Sequence, residues 1–163
     1  MRAFTGAVPP APQIVVPRFQ NGRWDFEEQM GQKPYVGFVY VIYDTILNRA
    51  YLGKKSYRGA GQLNHGDESD WKRYKSSSPI LKQFWAAGRP MDEFEFVCIE
   101  QYRTKGGLAY AEAWSQAFCE VPTTVYFYNT RMEAVSWKVN EPISERHKAH
   151  LIKLLERMKE SRK

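Results

Sequence analysis

The chain has 163 residues, of which 43% are hydrophobic and 15% aromatic, with a formal net charge of +6. This length and composition favour one packed domain and exclude wholesale disorder. No apolar run approaches the roughly 20 residues of a membrane-spanning helix, and residues 1–17 lack the apolar core of a secretory signal, so we expect a cytoplasmic protein. The excess of basic residues is compatible with a polyanionic partner.

The first 32 residues contain a proline-rich run from Val8 to Pro12 and show no sustained hydrophobic period. This pattern predicts an irregular N-terminal arm over residues 1–32, from which Trp24 and Phe26 can dock on the domain. We expect the domain itself to span residues 33–130 and a basic C-terminal element to span residues 131–163.

A β-hairpin is the first predicted element of the domain. Apolar residues alternate from Val36 to Tyr43, which indicates a strand, and Ala50 to Lys54 forms a second. Because neighbouring strands lie about 4.8 Å apart, Tyr40 and Tyr51 can present two hydroxyls side by side, next to a pair of lysines. Such a group suits a phosphodiester, whose cleavage needs proton transfer and positive charge at the developing oxyanions. The alternative is that both tyrosines are ordinary strand residues.

The remaining elements complete a small α+β fold. The glycine-rich stretch 56–69 predicts a long loop, and Ser78-Pro79 is typical of a helix start. A third strand, a second helix from Leu108 to Glu120, an extended segment from Val125 to Asn129 and a terminal helix from Ser144 follow. The order predicts a three-stranded antiparallel sheet flanked by helices, in the order β-β-α-β-α, plus a C-terminal helix. Cys98 and Cys119 lack metal-ligand spacing and are expected to be buried free thiols.

One carboxylate of the second predicted helix has an unusual position. On a helical wheel, Glu112 lies at the rim of the side formed by Ala111, Trp114, Ser115 and Phe118. A carboxylate at such an edge costs free energy unless it is paired or binds a metal. Mg²⁺ takes few protein ligands, so a lone carboxylate can hold it together with water and phosphate oxygens. The alternatives are an exposed Glu112 or one paired with a lysine.

These features together resemble the GIY-YIG nuclease superfamily. The resemblance rests on the hairpin, the inward glutamate and the downstream pair Tyr128-Asn129. The run Tyr51-Leu52-Gly53-Lys54-Lys55, followed by the block Asp70-Trp71-Lys72-Arg73-Tyr74 and three serines, is similar to the phage-borne Seg-type homing endonucleases. The resemblance covers residues 36–129. It implies a DNA endonuclease of homing type, dependent on Mg²⁺ or Mn²⁺, encoded by a phage and acting in the host-cell cytoplasm.

The resemblance also implies roles for individual residues. Tyr40 would activate or position the attacking water, and Tyr51 would orient the nucleophile or the scissile phosphate. Glu112 would bind the metal, and Asn129 would hydrogen-bond the backbone. His65 is a candidate to assist the first tyrosine.

The chain departs from the family pattern at two points. Phe38-Val39-Tyr40 replaces Gly-Ile-Tyr, which keeps the tyrosine. The catalytic arginine that the family carries after the second motif has no clear counterpart here. Arg58 and Arg73 are the candidates, and Lys54, Lys55 or Lys72 could supply the charge instead, although a lysine offers a point charge rather than a bidentate fork.

The terminal helix combines an apolar stripe with a cluster of basic residues. Residues 144–163 contain seven Lys or Arg and three Glu. We expect DNA-backbone contacts from Lys55, Lys72, Lys148, Lys153 and Arg157. The apolar stripe of Leu151, Leu155 and Met158 packs on the domain or forms a homodimer or partner interface. A catalytically inactive module that binds nucleic acid or protein on the same scaffold is the alternative function.

Overall fold

The computed structural model describes residues 6–11, 19–59, 66–132, 135 and 138–162. Its elements are the strands β1 (Gly37–Asp44), β2 (Arg49–Ser56) and β3 (Phe94–Tyr102), the helices α1 (Pro79–Ala86), α2 (Lys105–Phe118) and α3 (Glu145–Glu160), and a short 3-10 turn at Met91–Glu93. None of the helices in this part of the chain has the length and apolar character of a membrane span. His65 lies outside the described residues, as do parts of the predicted arm and of the glycine-rich loop.

The three strands form one antiparallel sheet with the order β2-β1-β3, as the sequence predicts. β1 is central, and all eight of its residues are buried. In the register of the sheet, Tyr40 lies opposite Gly53 of β2 and Cys98 of β3. Because side chains alternate along a strand, the even-numbered and odd-numbered residues of β1 enter two separate cores.

One core lies on each face of the sheet. Val39, Val41 and Tyr43 pack against α2 and α3 on the first face. Phe38, Tyr40 and Ile42 pack on the second face against α1, Trp24 and Trp71. The sheet is therefore covered by helices on both sides, which is the predicted sandwich. Both cysteines are buried and free, as expected.

The hairpin turn is fixed by a buried aspartate at the end of β1. Asp44 accepts hydrogen bonds of 3.0 Å from the backbone N–H groups of both Ile46 and Leu47. Its carboxylate also receives two guanidinium bonds from Arg89, of 2.7 and 2.8 Å. This turn sets the pairing of β1 with β2 and thereby the relative positions of Tyr40 and Tyr51.

The N-terminal segment docks on the sheet as predicted. Trp24 is 3% exposed, and its indole N–H donates to the Trp71 carbonyl over 2.6 Å. Asp25 forms a parallel bridge with Val97, so the segment extends the edge of β3. The described residues Trp24, Phe26 and Met30 are thus part of the second core.

The helix α2 begins at Lys105, three residues earlier than the sequence predicted. Thr104 is the N-cap, and its hydroxyl accepts a 2.9 Å hydrogen bond from the Gly107 N–H. A side chain at Gly107 would collide with the carboxylate of Glu141. Gly107 therefore allows a distant segment to approach the first turn of the helix.

The apolar stripe of α3 is buried in the first core. Leu151 and Met158 are both 0% exposed. Leu155 is half-buried against the same core. The stripe therefore covers the domain itself and is not an open surface for a partner.

Candidate active site

The two motif tyrosines lie against each other on the second face of the sheet. Their ring centroids are 6.2 Å apart. A Cβ atom at Gly53 would lie 2.7 Å from the Tyr40 hydroxyl oxygen, closer than such atoms approach. The glycine that follows Tyr51-Leu52 is therefore needed for the Tyr40 ring to cross β2.

Tyr40 is a buried phenol, 1% exposed. Burial, followed by the neighbouring phenols of Tyr74 and Tyr51, raises its pKa well above the ordinary tyrosine value, against the opposing effect of a hydrogen bond with Ser76. This environment favours the protonated phenol of Tyr40 over the tyrosinate. Its position suits a hydrogen-bonding and packing role beside Tyr51.

Tyr51 is half-buried and lines a cleft of about 500 Å³. Its hydroxyl lies 3.3 Å from the Ser77 hydroxyl. Residues from four parts of the chain line the cleft, among them Tyr51, Ser78, Glu112, Gln116, Asn129 and Arg131. The second motif tyrosine and the family glutamate therefore share one cavity, whereas Tyr40 lies behind Tyr51.

Glu112 is the acidic group of this cleft. It projects from α2 and is only 4% exposed. The Lys54 ammonium lies 2.6 Å from its Oε1 atom, and Lys54 comes from β2, opposite Val39. A buried carboxylate needs such a cation or a metal to remain charged. The pairing with a lysine that the sequence left open thus occurs at the cleft wall itself.

The donor groups of the cleft fit one divalent ion of the magnesium type. No group of three or more His, Cys, Asp or Glu residues that could hold a metal occurs in the described ranges, which argues against a zinc centre there. Mg²⁺ and Mn²⁺ prefer oxygen ligands, and Mg²⁺ is commonly bound by one or two carboxylates, water and substrate phosphate. The Glu112 carboxylate meets this requirement once Lys54 no longer occupies Oε1.

Asn129 fixes one wall of the cleft. Its side-chain amide accepts from the Leu52 N–H over 2.9 Å and donates to the Leu52 carbonyl over 2.7 Å. Just before it, Phe127 forms a parallel bridge with Ala50. The predicted extended segment thus adds to the outer edge of β2, and Asn129 makes the backbone contacts that the resemblance implied.

The two arginines that the sequence offered as catalytic candidates do not line this cleft. Arg58 is exposed, donates to the Gly66 carbonyl over 2.9 Å, and lines a different cavity together with Tyr35. Arg73 is also exposed and lines a small depression beside Asp70. Among the five cations considered for catalysis, Lys54 is the one that pairs with Glu112.

The cations predicted to contact DNA are divided between the two faces. Lys55 lies 2.7 Å from Asp70 and 4.0 Å from the ring centroid of Tyr74, on the face of the tyrosines. Lys72 lies near the Trp71 ring on the same side. Lys148, Lys153 and Arg157 belong to α3 on the opposite face, where Lys148 pairs with Glu145, Arg157 pairs with Glu95, and Lys153 lines a cavity against the sheet. The basic side of α3 therefore does not border the cleft.

Sequence reasoning missed two residues near the tyrosines. The Ser77 hydroxyl contacts Tyr51, and the interpretation of the serine run did not include this contact. Arg131 lines the cleft and was not a candidate. Its position, two residues after Asn129, was the signal that could have identified it.

Comparison with known families agrees with this geometry. The family model described as "Putative endonuclease segE, GIY-YIG domain" matches residues 21–132, which is more than half of the chain. The matched range includes the docked segment around Trp24 and ends just after Arg131. No curated protein and no solved structure gives a significant match. The chain belongs to the GIY-YIG nuclease family, in its SegE-type branch.

Proposed function

We propose that this protein is a metal-dependent DNA endonuclease that hydrolyses phosphodiester bonds at the cleft between β2 and α2. The observation that carries the proposal is the convergence of Tyr51 and the buried Glu112 on one cavity of about 500 Å³. Membership of a nuclease family supports this reading. The SegE-type branch also supports a homing-type enzyme of phage origin.

The chain's own residues would act on the phosphodiester through hydroxyl and ammonium groups. The Tyr51 hydroxyl, beside Ser77, is placed to hydrogen-bond an attacking water or a phosphate oxygen. Tyr40 packs beside the Tyr51 ring and would help to position the attacking water. Glu112 would hold the divalent ion, which when bound supplies Lewis-acid stabilisation of charge at the reacting oxygens.

Lys54 would have two successive partners. Without metal, its ammonium neutralises the buried Glu112 carboxylate. If that carboxylate held a divalent ion, the ammonium would offer its positive charge to the substrate phosphate instead.

The DNA would approach from the side of the tyrosines. Lys55 and Lys72 lie on that face and are proposed to contact the backbone on either side of the scissile bond. Lys148, Lys153 and Arg157 would reach only DNA that continues around the domain, because α3 packs on the other face.

Cleavage of supercoiled plasmid tests the proposal. Wild-type protein with Mg²⁺ or Mn²⁺ is expected to nick or linearise the plasmid, and EDTA is expected to stop the reaction. Glu112→Gln should lower the rate at least about 100-fold, since it removes the metal-binding charge. The matched control is Glu156→Gln, an exposed glutamate of α3 that should cleave like wild type.

Two results would contradict the proposal. Cleavage by Glu112→Gln at the wild-type rate would refute the assignment of the site. Salt-sensitive DNA binding by wild-type protein without any metal-dependent product would establish the non-catalytic binding module instead.

A further inference from the structure

The cleft contains one cation that has no assigned role. Of the described residues that line it, Arg131 is the only one with a positively charged side chain. Cleavage of a phosphodiester concentrates negative charge on the non-bridging oxygens, and a fixed guanidinium is well suited to neutralise it because its planar fork matches two phosphate oxygens.

The backbone that carries Arg131 is anchored next to β2. Phe127 pairs in parallel with Ala50, and Asn129 is bonded at both amide atoms to Leu52. Two residues beyond this anchor, Arg131 lines the same cleft as Tyr51 of β2.

The charge balance of the cleft leaves Arg131 for an external anion. Glu112 is the acidic residue of the described lining, and the Lys54 ammonium lies 2.6 Å from it. Within the described ranges Arg131 forms no salt bridge, whereas Arg89, Arg146 and Arg157 are each paired with carboxylates. The cleft thus has more positive than negative side-chain charge.

We propose that Arg131 binds the non-bridging oxygens of the scissile phosphate and is the catalytic arginine of this chain. This inference rests on the proposed nuclease function. Arg131 would take the catalytic role for which Arg58 and Arg73 were the candidates, because both of those lie outside the cleft. The catalytic arginine would then follow the Asn129 anchor and not the second motif.

DNA binding in EDTA tests the phosphate contact without any cleavage. The probe is a fluorescein-labelled duplex oligonucleotide, and anisotropy is measured between 50 and 200 mM salt, a range over which phosphate contacts weaken strongly. We expect Arg131→Met to lower the affinity about fivefold and to reduce the slope of log K against log salt by about one. Arg131→Lys should keep the slope, since it keeps the charge. Arg58→Met is the matched control, an equally exposed arginine on another cavity, and should bind like wild type.

Plasmid cleavage with Mn²⁺ provides the second measurement. Arg131→Met should lower kcat about 100-fold with a small change in KM, and Arg131→Lys should recover part of that loss. The inference is overturned if Arg131→Met matches Arg58→Met in cleavage, or if it loses cleavage while keeping the wild-type salt slope. Absence of cleavage by wild-type protein would defeat the proposed function alone, because the slope in EDTA still shows whether Arg131 contacts phosphate.

Discussion

Replacement of Lys54 by methionine is expected to lower the stability of the metal-free protein and to raise its affinity for metal. The Lys54 side chain is 33% exposed and that of Glu112 is 6% exposed, with 2.6 Å between their charged atoms. Removing one partner of a fully buried pair costs about 3–5 kcal/mol, because the other charge is left in a poorly solvated place. Since a third of Lys54 is in contact with solvent, we expect a loss of about 2 kcal/mol.

This loss is large enough to measure by thermal unfolding. For a chain of this size, each kcal/mol shifts Tm by about 2–4 °C, so Lys54→Met should unfold about 4–8 °C below wild type in EDTA. Mn²⁺ should restore much of the difference, because the ion replaces the missing positive charge at Glu112. The variant should therefore bind Mn²⁺ about tenfold more tightly than wild type, which free-ion titration by electron paramagnetic resonance would show.

The neighbouring lysine provides the control for this prediction. Lys55 pairs with Asp70, whose side chain is 58% exposed, on the opposite face of the sheet. The Lys55 side chain is 19% exposed, but the charge left behind in Lys55→Met is that of the well-solvated Asp70. The loss should therefore stay within about 1 kcal/mol, and Mn²⁺ affinity should not change. The reasoning is refuted if the two lysine variants have the same Tm in EDTA and gain the same increment with Mn²⁺.

Two further predictions concern the anchor of the cleft and the interior of the first core. Asn129→Ala removes the side-chain partners of the Leu52 N–H and carbonyl, so the free energy of unfolding in urea should fall by about 2–3 kcal/mol. Hydrogen exchange at the Leu52 amide should become faster, and unchanged exchange would contradict the role of Asn129 as an anchor. His147 is 0% exposed, and this burial lowers its pKa from 6.5 to about 4. The charge of Glu100 opposes the shift, and His150 adds a smaller contribution to it. Between these two pKa values the unfolded chain binds the proton more readily, so the free energy of unfolding should fall by about 2–3 kcal/mol from pH 7 to pH 4.5. A His147→Gln variant should lose that pH dependence. An equal fall in the variant would contradict the assignment to His147.

The sheet and the tyrosine pair could be predicted because a period of two determines which side chains share a face. The alternation from Val36 to Ile42 placed Tyr40 on the same side as Phe38, and the short connector allowed only an antiparallel return to Tyr51. The rim position of Glu112 followed from the helical period in the same way. Both predictions rest on the periodicity of a single strand or helix, which does not depend on contacts with distant segments.

The remaining parts of the site depend on contacts between distant segments. The N-terminal end of α2 was misjudged because Glu141 packs on Gly107, and no local pattern reveals that contact. Arg131 was missed because its position follows from the pairing of Phe127 with Ala50, which are 77 residues apart in the chain. The cation at the cleft could not be chosen from sequence for the same reason.

The terminal helix shows that its available charge also depends on contacts that the sequence pattern does not reveal. Its apolar stripe predicted burial correctly, yet the stripe does not say which face of the sheet it covers. Arg157 pairs with Glu95 of β3, and Lys148 pairs with Glu145 within α3 itself. Both ion pairs reduce the charge that the helix offers to a polyanion. Basic composition alone therefore does not show which side chains of α3 are left for a polyanion.

The central claim is that Glu112 binds the catalytic ion in the cleft bordered by Tyr51. Anomalous scattering from a crystal of the wild-type protein soaked with Mn²⁺ tests it most directly. We expect a single strong peak at about 2.0–2.2 Å from a Glu112 oxygen, with the Lys54 ammonium displaced from that carboxylate. A peak at other carboxylates, with the pair of Lys54 and Glu112 intact at a Mn²⁺ concentration that supports cleavage, would contradict the account.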